Sequence, residues 1–205
     1  AEQGNARAQN NLGQMYDNGS GVPQDDAEAV RWYRLAAEQG NAGAQVSLGA
    51  MYTLGHGVPQ DYDEAVRLFR LAAEQRNAGA QNSLGVMYEN GRGVPQDDAE
   101  AVRWYRLAAE QGNAIGQKNL GWMYFNGKGV PLDHAQAERW YRAAADQGNA
   151  DAQFVLGVMY ENGLGGDQDF AEAARWYRRA AEQGNAFAQK SLGVIYENGN
   201  GVPQN

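Results

Sequence analysis

Residues 5–40 read NARAQNNLGQMYDNGSGVPQDDAEAVRWYRLAAEQG. Asn5 is a residue type suited to capping a helix, and the apolar series Ala8, Leu12, Met15 and Tyr16 follows it, its members spaced by four, three and one. At about 100° per residue these four share a face, which predicts a helix from about Ala6 to Asp17 with that face buried. Gly19 closes it. Gly13 lies beside the face, where a missing side chain lets another backbone come close. The stretch Gly19-Ser20-Gly21-Val22-Pro23-Gln24 is a turn, and Asp25 with Glu28 has the spacing of a capping box. A second helix then runs to about Gln39, burying Ala29, Trp32, Tyr33, Ala36 and Ala37, and Gly40 ends it.

The same reading recurs at a shift of 36 residues. Ala-Glu-Gln begins at Ala1, Ala37, Ala73, Ala109 and Ala181, with Ala-Asp-Gln at Ala145. Leu-Gly falls at Leu12, Leu48, Leu84, Leu120, Leu156 and Leu192, and tyrosine at Tyr16, Tyr52, Tyr88, Tyr124, Tyr160 and Tyr196. The capping pairs return as Asp61/Glu64, Asp97/Glu100, Asp133/Gln136 and Asp169/Glu172. A two-helix unit cannot bury its apolar face alone, so neighbouring units must stack and share a core. The expectation is an all-α chain, a solenoid of helix-turn-helix repeats over residues 1–36, 37–72, 73–108, 109–144, 145–180 and a partial 181–205, forming a single array without an internal domain boundary. The periodicity also accounts for the 27 glycines.

The chain has 205 residues, 43% of them hydrophobic and 20% charged, and a net charge of −8. That charge disfavours nucleic acid, whose binding rests on neutralising phosphates. No apolar run approaches the roughly 20 residues of a membrane-spanning helix, so membrane insertion is not expected. The absence of cysteine excludes disulfides and thiolate chemistry. The chain begins at Ala1, which is compatible with a leader removed upstream, and the compartment stays open. No cofactor is expected. His56 and His134 occupy different repeat positions, lack metal-binding spacing, and read as exposed polar residues. Gly121-x5-Gly127-Lys128-Gly129 has one residue too many for a phosphate loop, and no Ser or Thr follows its lysine. Gly163-x-Gly165-Gly166 follows a helix rather than a strand. With no converging acid, base, nucleophile or metal site, a catalytic role is not expected.

The pattern Ala44-x3-Leu48-Gly49-x2-Tyr52-x2-Gly55-x-Gly57-Val58, continued by Asp61-x3-Ala65 and Ala72-Ala73-x-Gln75, resembles the Sel-like repeat family, relatives of the tetratricopeptide repeats. The resemblance implies a right-handed superhelix that acts as an adaptor in protein complexes, with a concave surface lined mainly by first helices. It carries no shared catalytic residues. Departures from the pattern are Leu68-Phe69 for Trp-Tyr, Arg76 for the terminating glycine, Gly116 for a core alanine and Glu138 for a valine. Gly165-Gly166-Asp167-Gln168 also lacks the valine and proline of the linker, which predicts a looser loop there.

Positions that vary between repeats are free of the shared packing. In the first helix they are those of Arg7, Asn10, Asn11, Gln14, Asp17 and Asn18, an arc opposite the core face. Repeat one is polar there; repeats two and three are small or mixed, with Val46, Ala50, Leu54, Asn82 and Val86. The last three repeats instead carry Ile115, Lys118, Trp122 and Phe125, then Phe154, Val155 and Val158, then Phe187, Lys190 and Val194. Helices packed about 8–10 Å apart bring such residues into one patch, and an apolar patch on a soluble surface marks a partner site. The expectation is a scaffold for a protein or peptide segment, contacted by Ile115, Lys118, Trp122, Phe125, Phe154, Val158, Phe187 and Lys190. A structural spacer or consensus-like array without a specific ligand is the alternative. Trp32, Trp104, Trp140 and Trp176 are assigned to the core. The rows Arg31, Arg67, Arg103, Arg139, Arg175 and Arg34, Arg70, Arg106, Arg142, Arg178 are assigned to intrahelical pairing with neighbouring glutamates. Because the sequence stops at Asn205, before a second helix of the sixth repeat, end-to-end association through uncapped terminal repeats is a further expectation.

Overall fold

The computed structural model describes residues 4–199; the first Ala-Glu-Gln at Ala1 and the last linker at Val202-Pro203 lie outside them. Among the described residues the elements are helices of 13 residues each and no strand. The first helices of the repeats are α1 (Ala6–Asn18), α3 (Ala42–Leu54), α5 (Ala78–Asn90), α7 (Ala114–Asn126), α9 (Ala150–Asn162) and α11 (Ala186–Asn198). The second helices are α2 (Asp26–Glu38), α4 (Tyr62–Glu74), α6 (Asp98–Glu110), α8 (His134–Asp146) and α10 (Phe170–Glu182). The fold is an all-α solenoid of 36-residue repeats.

Every first helix is capped by an asparagine: Asn5, Asn41, Asn77, Asn113, Asn149 and Asn185 each accept from the backbone N–H three residues on. Each ends at a glycine in the left-handed region, where no Cβ opposes the conformation, as at Gly19 with φ 68°. The second helices begin at aspartates that accept from the N–H of residue 28 and its equivalents, as expected. The reciprocal half of the capping box is not made. Glu28 turns to Arg31 at 3.2 Å, and the Asp25 N–H donates instead to the Tyr16 carbonyl at 3.0 Å. The same backbone bond ties Asp61 to Tyr52, Asp97 to Tyr88, Asp133 to Tyr124 and Asp169 to Tyr160. It survives in the loop lacking valine and proline, at 2.9 Å, and the Leu164 N–H still donates to the Met159 carbonyl.

Two compact units divide the chain, Ala1–Trp104 and Tyr105–Asn205. In the first, one cluster gathers Val30, Tyr33, Ala36, Leu48, Met51 and Leu68, and a second Val66, Phe69, Ala72, Leu84 and Met87. In the second unit, Tyr141, Ala144, Leu156, Met159 and Trp176 form one cluster, and Ala173, Tyr177, Ala188 and Ile195 another. Three glycines of the Leu-Gly pairs prove to be seats for aromatic rings rather than for backbone. A Cβ on Gly13 would meet the Tyr33 ring at 2.6 Å, on Gly49 the Phe69 ring at 2.6 Å, and on Gly157 the Tyr177 ring at 2.4 Å. The close backbone approach occurs instead at the linker, where a Cβ on Gly57 would stand 2.3 Å from the Asp26 carbonyl oxygen.

Three expectations about burial change with position. In α1, Leu12 is half-buried and Met15 is 38% exposed, although Leu48 and Met51 are buried, because no helix precedes α1 among the described residues. Trp32 and Trp176 are buried, whereas Trp104 and Trp140 are half-buried at the core margin. His134 is not an exposed polar residue: its ring lies 5.1 Å from that of Phe125.

The arginine rows also divide. The first row pairs within its helix as expected, Arg31 with Glu28, Arg67 with Glu64, Arg103 with Glu100 and Arg175 with Glu172. The second row reaches into the next repeat: Arg34 donates to the Tyr52 hydroxyl at 3.1 Å, Arg70 to Tyr88 at 3.0 Å and Arg106 to Tyr124 at 2.8 Å. Arg142–Tyr160 and Arg178–Tyr196 repeat the contact. A row of buried glutamines, which the hydrophobic pattern does not flag, adds a second tie. Gln39 donates to Gln9, Gln75 to Gln45, Gln147 to Gln117 and Gln183 to Gln153.

Candidate functional site

The variable arc of the first helices in the second unit begins with α7. Asn113 and Gly127 fix its ends, and Leu120 and Met123 bury its core face. Ile115 on the opposite side is 52% exposed and Trp122 39% exposed. The Lys128 ammonium stands 5.3 Å from the centre of the Trp122 ring, a cation–π distance. Lys118 is half-buried and lies 3.5 Å from the Asp151 carboxylate of the next repeat. Phe125 points elsewhere: it packs against the Tyr141 cluster, its ring 6.4 Å from that of Tyr141 in edge-on geometry.

Across α10, α9 and α11 three aromatic rings run from core to surface. Tyr177 is fully buried, Phe154 lies 5.8 Å from it, and Phe187 lies 5.9 Å from Phe154 and is 72% exposed. Val158 packs beside Phe154 against the same cluster, while Lys190 and Val194 are exposed. Of the sequence-selected residues, the structure therefore brings Phe154, Val158 and Phe187 together. It turns Phe125 inward, and it leaves Ile115, Trp122 and Lys190 open to solvent. Burial raises the hydroxyl pKa of Tyr177, and its bond to Glu161 at 2.6 Å adds to the shift. Tyr33 behaves likewise, through burial first and then Asp17.

The first unit holds a feature that the sequence reading passed over. Ala50, Thr53, Leu54, Phe69, Val86 and Met87 line an apolar hollow of about 220 Å³ between α3 and α5. The signal was present. Phe69 lacks the hydroxyl of Tyr33 and Tyr177, and Thr53 replaces the carboxylate, Asp17 or Glu161, that such a hydroxyl requires.

Among the described residues no group of three His, Cys, Asp or Glu side chains is placed to hold a metal ion. No helix there is long and apolar enough to cross a membrane.

Paired helices in 36-residue units, tied to their neighbours by the same bonds, define an α-solenoid repeat protein. The chain belongs to the Sel1 repeat family, whose pattern matches residues 6–41, 42–77, 78–113, 114–149, 150–185 and 186–205, each unit starting at the first residue of a first helix. Sel1 repeat proteins are generally protein-interaction scaffolds, and the family is non-enzymatic. The chain is similar to c5321, a protective antigen of uropathogenic Escherichia coli with this repeat fold, at 46% identity and a TM-score of 0.93. The match covers 100% of this chain and 44% of that one, so the chain spans less than half of that protein. It is also similar to a Sel1 repeat protein from Oxalobacter formigenes, at 39% identity and a TM-score of 0.88, over 99% of this chain and 81% of that one. The immunity protein Pa5087 from Pseudomonas aeruginosa, 21% identical with a TM-score of 0.62 over 97% of this chain and 72% of that one, shares the fold alone. No curated protein matches the chain.

Proposed function

We propose that the chain is a non-catalytic scaffold that holds a protein or peptide segment on the first-helix face of its last three repeats. The observation that carries this reading is the Phe154–Phe187 pair. A phenylalanine 72% exposed on a helix, tilted against a second ring that itself leans on buried Tyr177, is a large apolar surface held in place from below. Rigid aromatic anchors of this kind dominate binding energy at interfaces. Trp122 and Ile115 extend the apolar face along α7, and Lys118, Lys128 and Lys190 supply cations that suit a segment with acidic groups beside its apolar anchor.

Selection of random peptides against the folded chain tests this. Selected peptides should carry an aromatic or aliphatic anchor near an acidic residue. Phe187→Ala and Trp122→Ala should each weaken them by about 2 kcal/mol, roughly thirty-fold, without lowering the melting temperature appreciably. Leu54→Ala is the control, since Leu54 is 59% exposed and belongs to α3 in the first unit. Peptides that bind the wild type and both variants equally would place the binding surface elsewhere.

A further inference from the structure

A second site follows from one missing side chain. In the second unit Trp176 of α10 is buried in a cluster with Ala145 and Leu156, and in the first unit Trp104 packs against the cluster of Ala73 and Leu84. The equivalent residue of α4 is Leu68, clustered with Ala37 and Leu48. At that place, between α2 and α4, lies a hollow of about 510 Å³ lined by Arg34, Ala37, Leu48, Arg67, Leu68 and Leu71. Its floor, Leu68, is only 2% exposed. In three of the four repeats that carry the tryptophan, the preceding arginine stands by its ring: Arg31 is 5.3 Å from the Trp32 centre, Arg103 5.9 Å from Trp104 and Arg139 5.8 Å from Trp140, while at Trp176 Arg179 takes that place at 4.6 Å. Arg103 does this while also paired to Glu100. Arg67 is in the same position and paired to Glu64 in the same way, with no ring beneath it.

We infer that the hollow at Leu68 is a receptor for a tryptophan side chain presented by a partner protein. The partner's indole would take the seat that the chain's own tryptophans occupy in the other repeats. The molecule itself specifies this occupant: apolar walls from Ala37, Leu48, Leu68 and Leu71 for the ring, and the Arg67 guanidinium for its face. This site lies in the first unit and goes beyond the face of α7, α9 and α11 proposed above; neither reading depends on the other.

N-acetyltryptophanamide is the probe, titrated into the full chain and followed by amide and methyl NMR shifts. Saturable shifts centred on Leu48, Leu68 and Leu71, with an affinity on the order of millimolar for so small a ligand, are expected, and N-acetylleucinamide should produce none. Arg67→Gln should weaken the probe several-fold with the fold unchanged. Leu68→Trp should fill the seat internally, raise the melting temperature by a few degrees and abolish the shifts. Absence of saturable shifts, persistence of the shifts in Leu68→Trp, or a lower melting temperature for that variant would each overturn the proposal.

Discussion

Gly157 and Gly193 occupy the same repeat position and make opposite demands. A methyl at Gly157 would stand 2.4 Å from the ring of Tyr177, which is fully buried and pinned by Glu161, so the ring cannot swing aside. At Gly193 a methyl would meet nothing within 4 Å. Gly157→Ala should therefore cost about 1–3 kcal/mol through overpacking. Gly193→Ala should gain up to about 1 kcal/mol, because alanine favours a helix interior. Urea midpoints of the two variants check this; equal destabilisation would contradict the assignment of Gly157 as a ring seat. Much at this scale was readable from the sequence, including the asparagine caps and the glycine stops. Arg76 stands at one such stop with φ 62°, where glycine is usual. What pattern reading missed were side chains whose role depends on distant neighbours. Gln45 looks like surface by hydrophobicity alone, yet it is buried because Gln75 donates to its carbonyl oxygen at 2.9 Å. Arg31 and Arg34 both lie near glutamates in sequence, and only the tyrosine brought in by the next repeat separates their roles.

For the elements, the 3.6-residue period and the turn residues were enough to place every helix to within a residue or two. Each helix is 13 residues long and falls at the same place in its repeat. The capping pairs were read as two-sided and are one-sided, which has a measurable result at α4. Asp61 accepts from the Glu64 N–H at 3.0 Å, whereas the Glu64 side chain is engaged with Arg67 at 2.7 Å. Asp61→Ala should cost about 1 kcal/mol. Glu64→Ala removes a surface pair worth at most about 0.5 kcal/mol and leaves the cap in place. Thermal melts of the two variants distinguish this from a reciprocal box, in which both substitutions would be costly. The candidate site was less legible than the helices. Alternation between repeats located the exposed arc, but Phe125 shares that arc in sequence and is drawn inward by the Tyr141 and His134 rings, a choice made by side-chain packing.

Over the molecule, buried tyrosines set the response to alkali. Tyr33, Tyr141 and Tyr177 all have hydroxyl pKa values raised above the ordinary 10.0, chiefly by burial. In the unfolded chain they ionise near their ordinary value while the folded chain keeps its protons. The unfolded state therefore binds fewer protons above about pH 10, and stability falls as pH rises from there. Below that pH the contribution is fully present. Urea midpoints should be level with respect to these groups up to about pH 9 and decline beyond about pH 10, less steeply in Tyr177→Phe; parallel declines would exclude Tyr177 as a contributor. A different consequence lies in the sequence separations of the inter-repeat ties. The arginine–tyrosine contacts all span 18 residues and the glutamine contacts 30. Excising residues 42–77 would join Asn41 to Ala78 and offer α2 the residues Gln81, Leu84 and Tyr88 where Gln45, Leu48 and Tyr52 had stood. Each lost partner is replaced by one of its own kind. Residues 24–42 and 96–114 are identical, so the encoding gene offers near-matching stretches at which unequal crossover can remove or add whole units. Array length in such a lineage is thus a heritable variable, altered in steps that leave the joining chemistry untouched.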